Sequence, residues 1–199
     1  MKIKICGLFT ESAVDFVNEA KPDYAGFVLN YPKSHRNISL DEAELLAKRL
    51  SSEIQSVGVF VNADIEYIEE AANRGIIDIV QLHGNETAEY IKALKKRVPL
   101  PIIRAVKPNG SKIEALGADY LLLDSGKGTG KPFDHALIRP EEIEAPFFIA
   151  GGITPEAIPA LAEFKPFGAD ISGGVETDGQ KDRDKILAAV RNAKTLGNR

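Results

Sequence analysis

The chain has 199 residues, enough for one domain with a large buried core. Its 25 basic and 29 acidic residues leave a formal charge of −4 and a pI near 5.5, which argues against nucleic acid as the main partner. No apolar stretch approaches membrane-spanning length, no signal-peptide core follows Met1, and a single cysteine suits a reducing cytoplasm.

Short β-branched runs alternate with helical patterns along the whole chain. The first strand is expected at residues 2–6 and ends in Cys6, the only cysteine, followed by Gly7. Further strands are expected at 23–29, 56–61, 78–82, 101–106, 119–124, 147–150 and 169–172. Several are apolar on consecutive residues, as strands covered on both faces should be. Between them, Ser39 and Glu42 form a capping box ahead of an apolar stripe of Leu40, Ala43, Leu46, Ala47 and Leu50. Asp64 is expected to cap a helix that Gly75 stops, and Asn85 to cap the next, whose last turn is basic. Residues 107–118 leave room for one or two helical turns, and 127–146 are glycine-rich and then weakly helical. Thr154-Pro155 opens a further helix, and a final helix runs from about Lys181 to Lys194.

Eight alternating βα units in residues 1–199 predict a single (β/α)8 barrel of parallel strands with short fifth and sixth helical connections. An open sheet of fewer strands is the alternative. A faint repeat accompanies the pattern: Pro22-Asp23-Tyr24 opens the second strand and Ala118-Asp119-Tyr120 the sixth.

In such a barrel the active site lies at the carboxyl ends of the strands. Those ends carry Cys6, then Ser34-His35-Arg36, Gln81-Leu82-His83, Asp124-Ser125-Gly126, Gly151-Gly152 and Ser172-Gly173-Gly174. One thiol and one acid at one mouth make a base and an acid facing a common substrate. Asp124 ends Leu121-Leu122-Leu123, beside a core whose desolvation favours the protonated form. The glycines at 151–152 and 173–174, with Ser172, suit a phosphate, because backbone N–H groups can approach it closely; neither loop carries a lysine nearby. Arg36 offers a fork for a carboxylate. His83 reads as an orienting or core histidine. His35, His83 and His135 lack metal-ligand spacing, so no metal is expected. Each group has a plainer alternative: a buried small thiol, a turn carboxylate, a solvated arginine, glycines that only turn the chain.

Together these residues resemble the phosphoribosylanthranilate isomerase family of tryptophan biosynthesis. The matching pieces are Lys4-Ile5-Cys6-Gly7, Ser34-His35-Arg36, Val80-Gln81-Leu82-His83-Gly84, Leu122-Leu123-Asp124-Ser125, Gly128-Thr129-Gly130 with Phe133-Asp134, Ala150-Gly151-Gly152-Ile153, and Asp170-Ile171-Ser172 through Gly174-Val175-Glu176. The resemblance implies a (β/α)8 barrel that converts N-(5-phosphoribosyl)anthranilate to its ribulose form by an Amadori rearrangement, without cofactor or metal. It implies that Asp124 is the general acid at the ribose ring oxygen and Cys6, as thiolate, the general base at C2. A small downward shift of the thiol, such as a helix N-terminus supplies, would suffice. It further implies that Arg36 holds the anthranilate carboxylate and that the strand 7 and 8 loops hold the phosphate. Gln81 and His83 fall among the substrate-binding positions. The expected partner is a small phosphorylated substrate, with the chain a monomer or homodimer, and no nucleic acid or membrane.

Two positions depart from the family pattern. Gly173 stands where a second serine is common, and Asp178 where a proline is common. The rival readings are another sugar-phosphate enzyme on the same barrel and a catalytically silent barrel that binds a phosphorylated ligand or a protein.

Overall fold

The structure, a computed structural model, describes residues 1–124 and 137–197. Ser125, Gly126, Gly128-Thr129-Gly130, Phe133-Asp134 and His135 lie outside the described residues. The eight barrel strands are β1 Lys2–Cys6, β2 Tyr24–Leu29, β3 Gln55–Phe60, β4 Ile79–Leu82, β5 Ile102–Val106, β6 Tyr120–Asp124, β7 Phe147–Ala150 and β8 Gly168–Ile171. Each pairs in parallel with both neighbours, and β1 joins β8 and β2 to close the ring. Every strand lies within one residue of its expected bounds, because consecutive apolar runs this short serve only strands covered on both faces.

Period-two alternation sorts the side chains. Ile3, Ile5, Phe27, Leu29, Val80, Leu121 and Ile149 belong to the core between barrel and helices. Tyr24, Val57, Ile79, Ile103, Leu122 and Phe148 fill the barrel interior. The intervening residues Lys4 and Cys6 of β1 and Asp170 of β8 therefore share the interior face.

Helix α1 (Glu11–Ala20) is capped by Thr10, and α2 (Leu40–Arg49) by the expected Ser39–Glu42 capping box. Helix α3 (Ile65–Asn73) starts after Asp64, which makes no side-chain cap bond, and ends before Gly75 at φ +67°. Helix α4 (Ala88–Arg97) is capped by Thr87 rather than Asn85. The segment before it is held down elsewhere: the Asn85 backbone N–H donates to Asn62 Oδ1 and the Gly84 N–H to Glu86 Oε2. Thr154 and Pro155 do open a helix, but it is a 3₁₀ helix (Pro155–Phe164) and Thr154 makes no cap bond. Pro159 inside it removes a backbone donor. The last helix, α5 (Arg183–Gly197), begins two residues after Lys181, which is taken up by a hairpin.

The fifth connection contains no helix, and the described part of the sixth includes the 3₁₀ turn Pro140–Glu142 but no α-helix. These two weak segments brace each other: the Ile113 N–H donates to the Glu142 carbonyl and the Glu144 N–H to the Ile113 carbonyl. A cavity of about 640 Å³ remains at the rim between Gly84–Ala88 and this fifth connection.

The faint Asp-Tyr repeat marks a physical device at the opposite end of the barrel. Asp23 accepts from the Ile3 N–H (2.9 Å) and Asp119 from the Ile102 N–H (2.8 Å). Asp78, before β4, does the same for Ser56 (2.8 Å). Each carboxylate clips the start of an odd strand to the even strand that follows it.

Candidate active site

The carboxyl ends of the strands bring the nominated residues to one mouth. Cys6 is the last residue of β1 and only 8% exposed. Asp124 is the last residue of β6, three strands away around the ring. His83 follows β4, and its Nε2 lies 3.1 Å from Asp124 Oδ2. Gln81 donates its amide N–H to His83 Nδ1 at 3.0 Å. The amide nitrogen is a donor, so Nδ1 is placed to accept from Gln81 while Nε2 faces the Asp124 carboxyl group. Gln81 Oε1 is buried without a partner among the described residues.

On the other side of the mouth the environment is charged. Lys4, fully buried two residues before Cys6, places its Nζ 2.9 Å from Asp170 Oδ1. Arg36 forms a bidentate pair with Glu176, Nε to Oε1 at 2.7 Å and Nη2 to Oε2 at 2.6 Å. Lys181 donates to the same Glu176 Oε1 at 2.7 Å and to the Ser172 carbonyl at 3.1 Å. The expectation that no lysine lies near the strand 8 loop is thus overturned. Lys181 is far away along the helix pattern but is carried back by a two-stranded hairpin in which Glu176 faces Lys181. That hairpin turns at Asp178-Gly179, with φ of 51° and 76°, the two positive angles an Asp-Gly turn supplies. Asp178 is therefore an exposed turn residue, and a proline has no access to its φ.

Burial pushes the Cys6 thiol above its usual value, and the Asp170 carboxylate adds to this, while Lys4 and Lys181 pull it back. The lowering influence expected from a helix terminus comes instead from these two ammonium groups. Burial works against the Lys4 ammonium, but Asp170 and the Cys6 sulfur outweigh it and its pKa stands raised. Burial holds Lys181 below the usual lysine value despite Glu176. The hydrogen bonds from Arg36 and Lys181 hold Glu176 low against its own burial, and the bond to Glu176 raises Arg36.

The two glycine loops lie side by side. Gly151 and Gly152 both have positive φ, 88° and 67°, directly after β7. Ser172-Gly173-Gly174 follow β8, with Gly173–Val175 in one 3₁₀ turn. A Cβ on Gly174 would lie 1.8 Å from the Ile153 carbonyl oxygen, so glycine there is what lets the two loops touch. Gly173 has room: the nearest atom to a Cβ would be Arg36 Nη2 at 3.8 Å. The Ser172 hydroxyl donates to the Cys6 carbonyl at 3.0 Å.

Sequence reasoning nominated Cys6, Arg36, Gln81, His83, Asp124, Gly151, Gly152, Ser172, Gly173 and Gly174, and all lie at this mouth. It gave no role to Lys4, Asp170, Glu176 or Lys181. The signal for the first two was present: a charged residue at an inward position of an otherwise apolar strand.

Comparison with known proteins agrees with this geometry. The family model for N-(5'-phosphoribosyl)anthranilate (PRA) isomerase matches residues 3–192. An N-(5'-phosphoribosyl)anthranilate isomerase from Endomicrobium trichonymphae is 43% identical over 98% of this chain and 99% of its own. The crystal structure of phosphoribosyl anthranilate isomerase from Thermotoga maritima is 34% identical, covers 98% of this chain and 99% of that one, and superposes with a TM-score of 0.84. A phosphoribosyl anthranilate isomerase solved in complex with reduced 1-(o-carboxyphenylamino)-1-deoxyribulose 5-phosphate is 32% identical over 98% and 99% of the two chains, with a TM-score of 0.82. With the family model matched over residues 3–192 and relatives this similar over nearly its full length, the chain belongs to the phosphoribosylanthranilate isomerase family.

Proposed function

We propose that residues 1–199 form one catalytic domain that isomerises N-(5-phosphoribosyl)anthranilate to 1-(2-carboxyphenylamino)-1-deoxyribulose 5-phosphate in L-tryptophan biosynthesis, with Asp124 as general acid and Cys6 as general base. Asp124 gives a proton to the ribose ring oxygen as the C1–O bond breaks, leaving an iminium between C1 and the anthranilate nitrogen. That cation acidifies the neighbouring C2–H, and the Cys6 thiolate removes its proton. The resulting enolamine takes a proton at C1 and releases one from the C2 hydroxyl, giving the ketone. Atoms and electrons balance within the substrate, so the chemistry calls for no external oxidant or reductant.

The observation that carries this reading is the placement of the lone thiol and Asp124 at the carboxyl ends of two separate barrel strands, both at inward positions. Arg36, anchored by Glu176, holds the anthranilate carboxylate with its remaining donors. Gly151, Gly152, Ser172, Gly173 and Gly174 hold the phosphate through backbone N–H groups. His83, with Gln81 behind it, orients Asp124. Among the described residues no helix is long and apolar enough to cross a membrane. A cytoplasmic location suits a base that oxidation of its sulfur would destroy.

The test is a fluorescence assay in which the substrate is generated in place and loss of its anthranilate emission is followed with purified protein. Rapid first-order loss far above background, unchanged by EDTA, is expected. No loss from folded protein would move the assignment to another sugar phosphate or to a silent binding barrel.

A further inference from the structure

We propose that Lys4 is a positioning residue for catalysis, whose buried ammonium, held between Asp170 and the sulfur, supplies the counter-charge beside which the Cys6 thiolate forms. The proposal rests on the reading of Cys6 as the base.

The first observation is that the pair is there at all. The interior of such a barrel is filled mainly by bulky branched apolar side chains, as Val57, Ile79, Ile103 and Leu122 fill this one. An ion pair in that setting loses hydration that its own attraction barely returns, so it contributes little to stability. Lys4 and Asp170 are nevertheless both buried there. A stability role accounts poorly for them.

The second observation is position. Lys4 and Cys6 alternate on one strand and so project from the same face. Gly26 of β2, paired with Cys6, shows how closely they converge. A Cβ on Gly26 would lie 2.9 Å from Cys6 Sγ and 3.2 Å from Lys4 Cε, so the sulfur and the lysine side chain cover the same spot. The absence of a side chain on Gly26 is what lets them meet.

The third observation is charge. Among the described residues, the groups that act on or border Cys6 are Lys4 from β1, Asp170 from β8, Lys181 and Glu176 from the hairpin, and Arg36 from the loop after β2. Three cations face two carboxylates. Within this described set the thiolate is the anion that balances the charges, and the cation next to the sulfur on its own strand is Lys4. Burial alone would hold Cys6 as a thiol. Each of the three cations is also engaged by a carboxylate, and Lys4, on the sulfur's own strand, is the one that opposes burial most.

The test uses the fact that Cys6 is the only cysteine. Thiolate absorbance in the far ultraviolet is titrated against pH in the full-length protein, with Cys6→Ser as the blank, and compared with the pH dependence of kcat/KM. Lys4→Met is expected to move the Cys6 midpoint up by about one pH unit or more, a tenfold loss of thiolate at a given pH. The rising limb of kcat/KM should move with it. Asp170→Asn should move both down. If Lys4→Met fails to fold, Lys4→Met/Asp170→Asn leaves no unpaired charge, and its midpoint should still lie above wild type. Midpoints unmoved in the folded variants overturn the proposal, since a merely structural lysine would lower activity without moving the sulfur's titration. Wild-type turnover by Cys6→Ser would instead refute Cys6 as the base, and the proposal with it.

Discussion

Cys6 stands in a wall of buried charge, whereas the partner of Asp124 among the described residues is the His83 imidazole. Around the thiol, five ionic side chains from four elements interlock, with Lys4 and Lys181 almost fully buried. Beside the acid, an imidazole lies within hydrogen-bond distance of one carboxyl oxygen and is itself held by an amide. The difference follows from the two tasks. A buried thiol must be persuaded to lose a proton, which calls for cations. A carboxyl group that must deliver its proton to one atom has to be aimed, which calls for an orienting hydrogen bond. One fold thus brings a thiol among buried charges and a carboxyl group held by an imidazole to the same mouth.

The sharpest way to break this contrast is to remove either end of it. Cys6→Ser and Asp124→Asn should each lower kcat by about 10²–10⁴-fold with unchanged circular dichroism, and a near-normal kcat in either variant would take that residue out of the mechanism. A smaller effect is expected from the charged wall's anchor. Glu176→Gln loses the charge-assisted hold on Arg36 and Lys181, and should raise KM about tenfold with a lesser effect on kcat. Arg36→Met should do the same, and an unchanged kcat/KM there would assign the arginine to the surface. Gly26→Ala probes the crowding itself. Its methyl group meets the Cys6 sulfur at 2.9 Å, so kcat should fall severalfold and thermal unfolding should register about 1–3 kcal/mol of overpacking. The mildest change is Gly173→Ser. The site has open space, and one added hydroxyl contact is worth about 0.5–1.5 kcal/mol, so steady-state kinetics should show a modestly lower KM for the phosphorylated substrate.

Much of this was legible because the signals are local. Consecutive apolar runs located all eight strands, and Ser39 with Glu42 announced its helix by a bond within four residues. The thiol, the acid and the glycine loops were legible because their place at strand ends is itself a sequence position. What escaped was decided by distant partners. Lys4 reads as an interruption of an apolar run, and its meaning lies in Asp170, 166 residues on. Lys181 reads as the start of a helix until the Asp178-Gly179 turn folds it back onto Glu176. Asn85 is a good cap residue, but Asn62 from the previous loop binds its backbone and the helix starts at Thr87. The resemblance of short motifs brought Asp170 and Glu176 into view without saying what they touch.

The aspartate clips at the amino ends of the strands bear on the order of assembly. Each joins partners only 17 to 22 residues apart, at Asp23, Asp78 and Asp119, so each costs little loop-closure entropy and favours two-strand units that dock early. The seam between β1 and β8 is the reverse case, with contacts spanning 166 residues in the Lys4–Asp170 bond and again in the Ser172–Cys6 bond. The surroundings of the thiol therefore come into being only when the two ends of the chain meet. In a refolding experiment, helical ellipticity should return first and turnover last, making the catalytic sulfur a reporter of the moment the ring shuts.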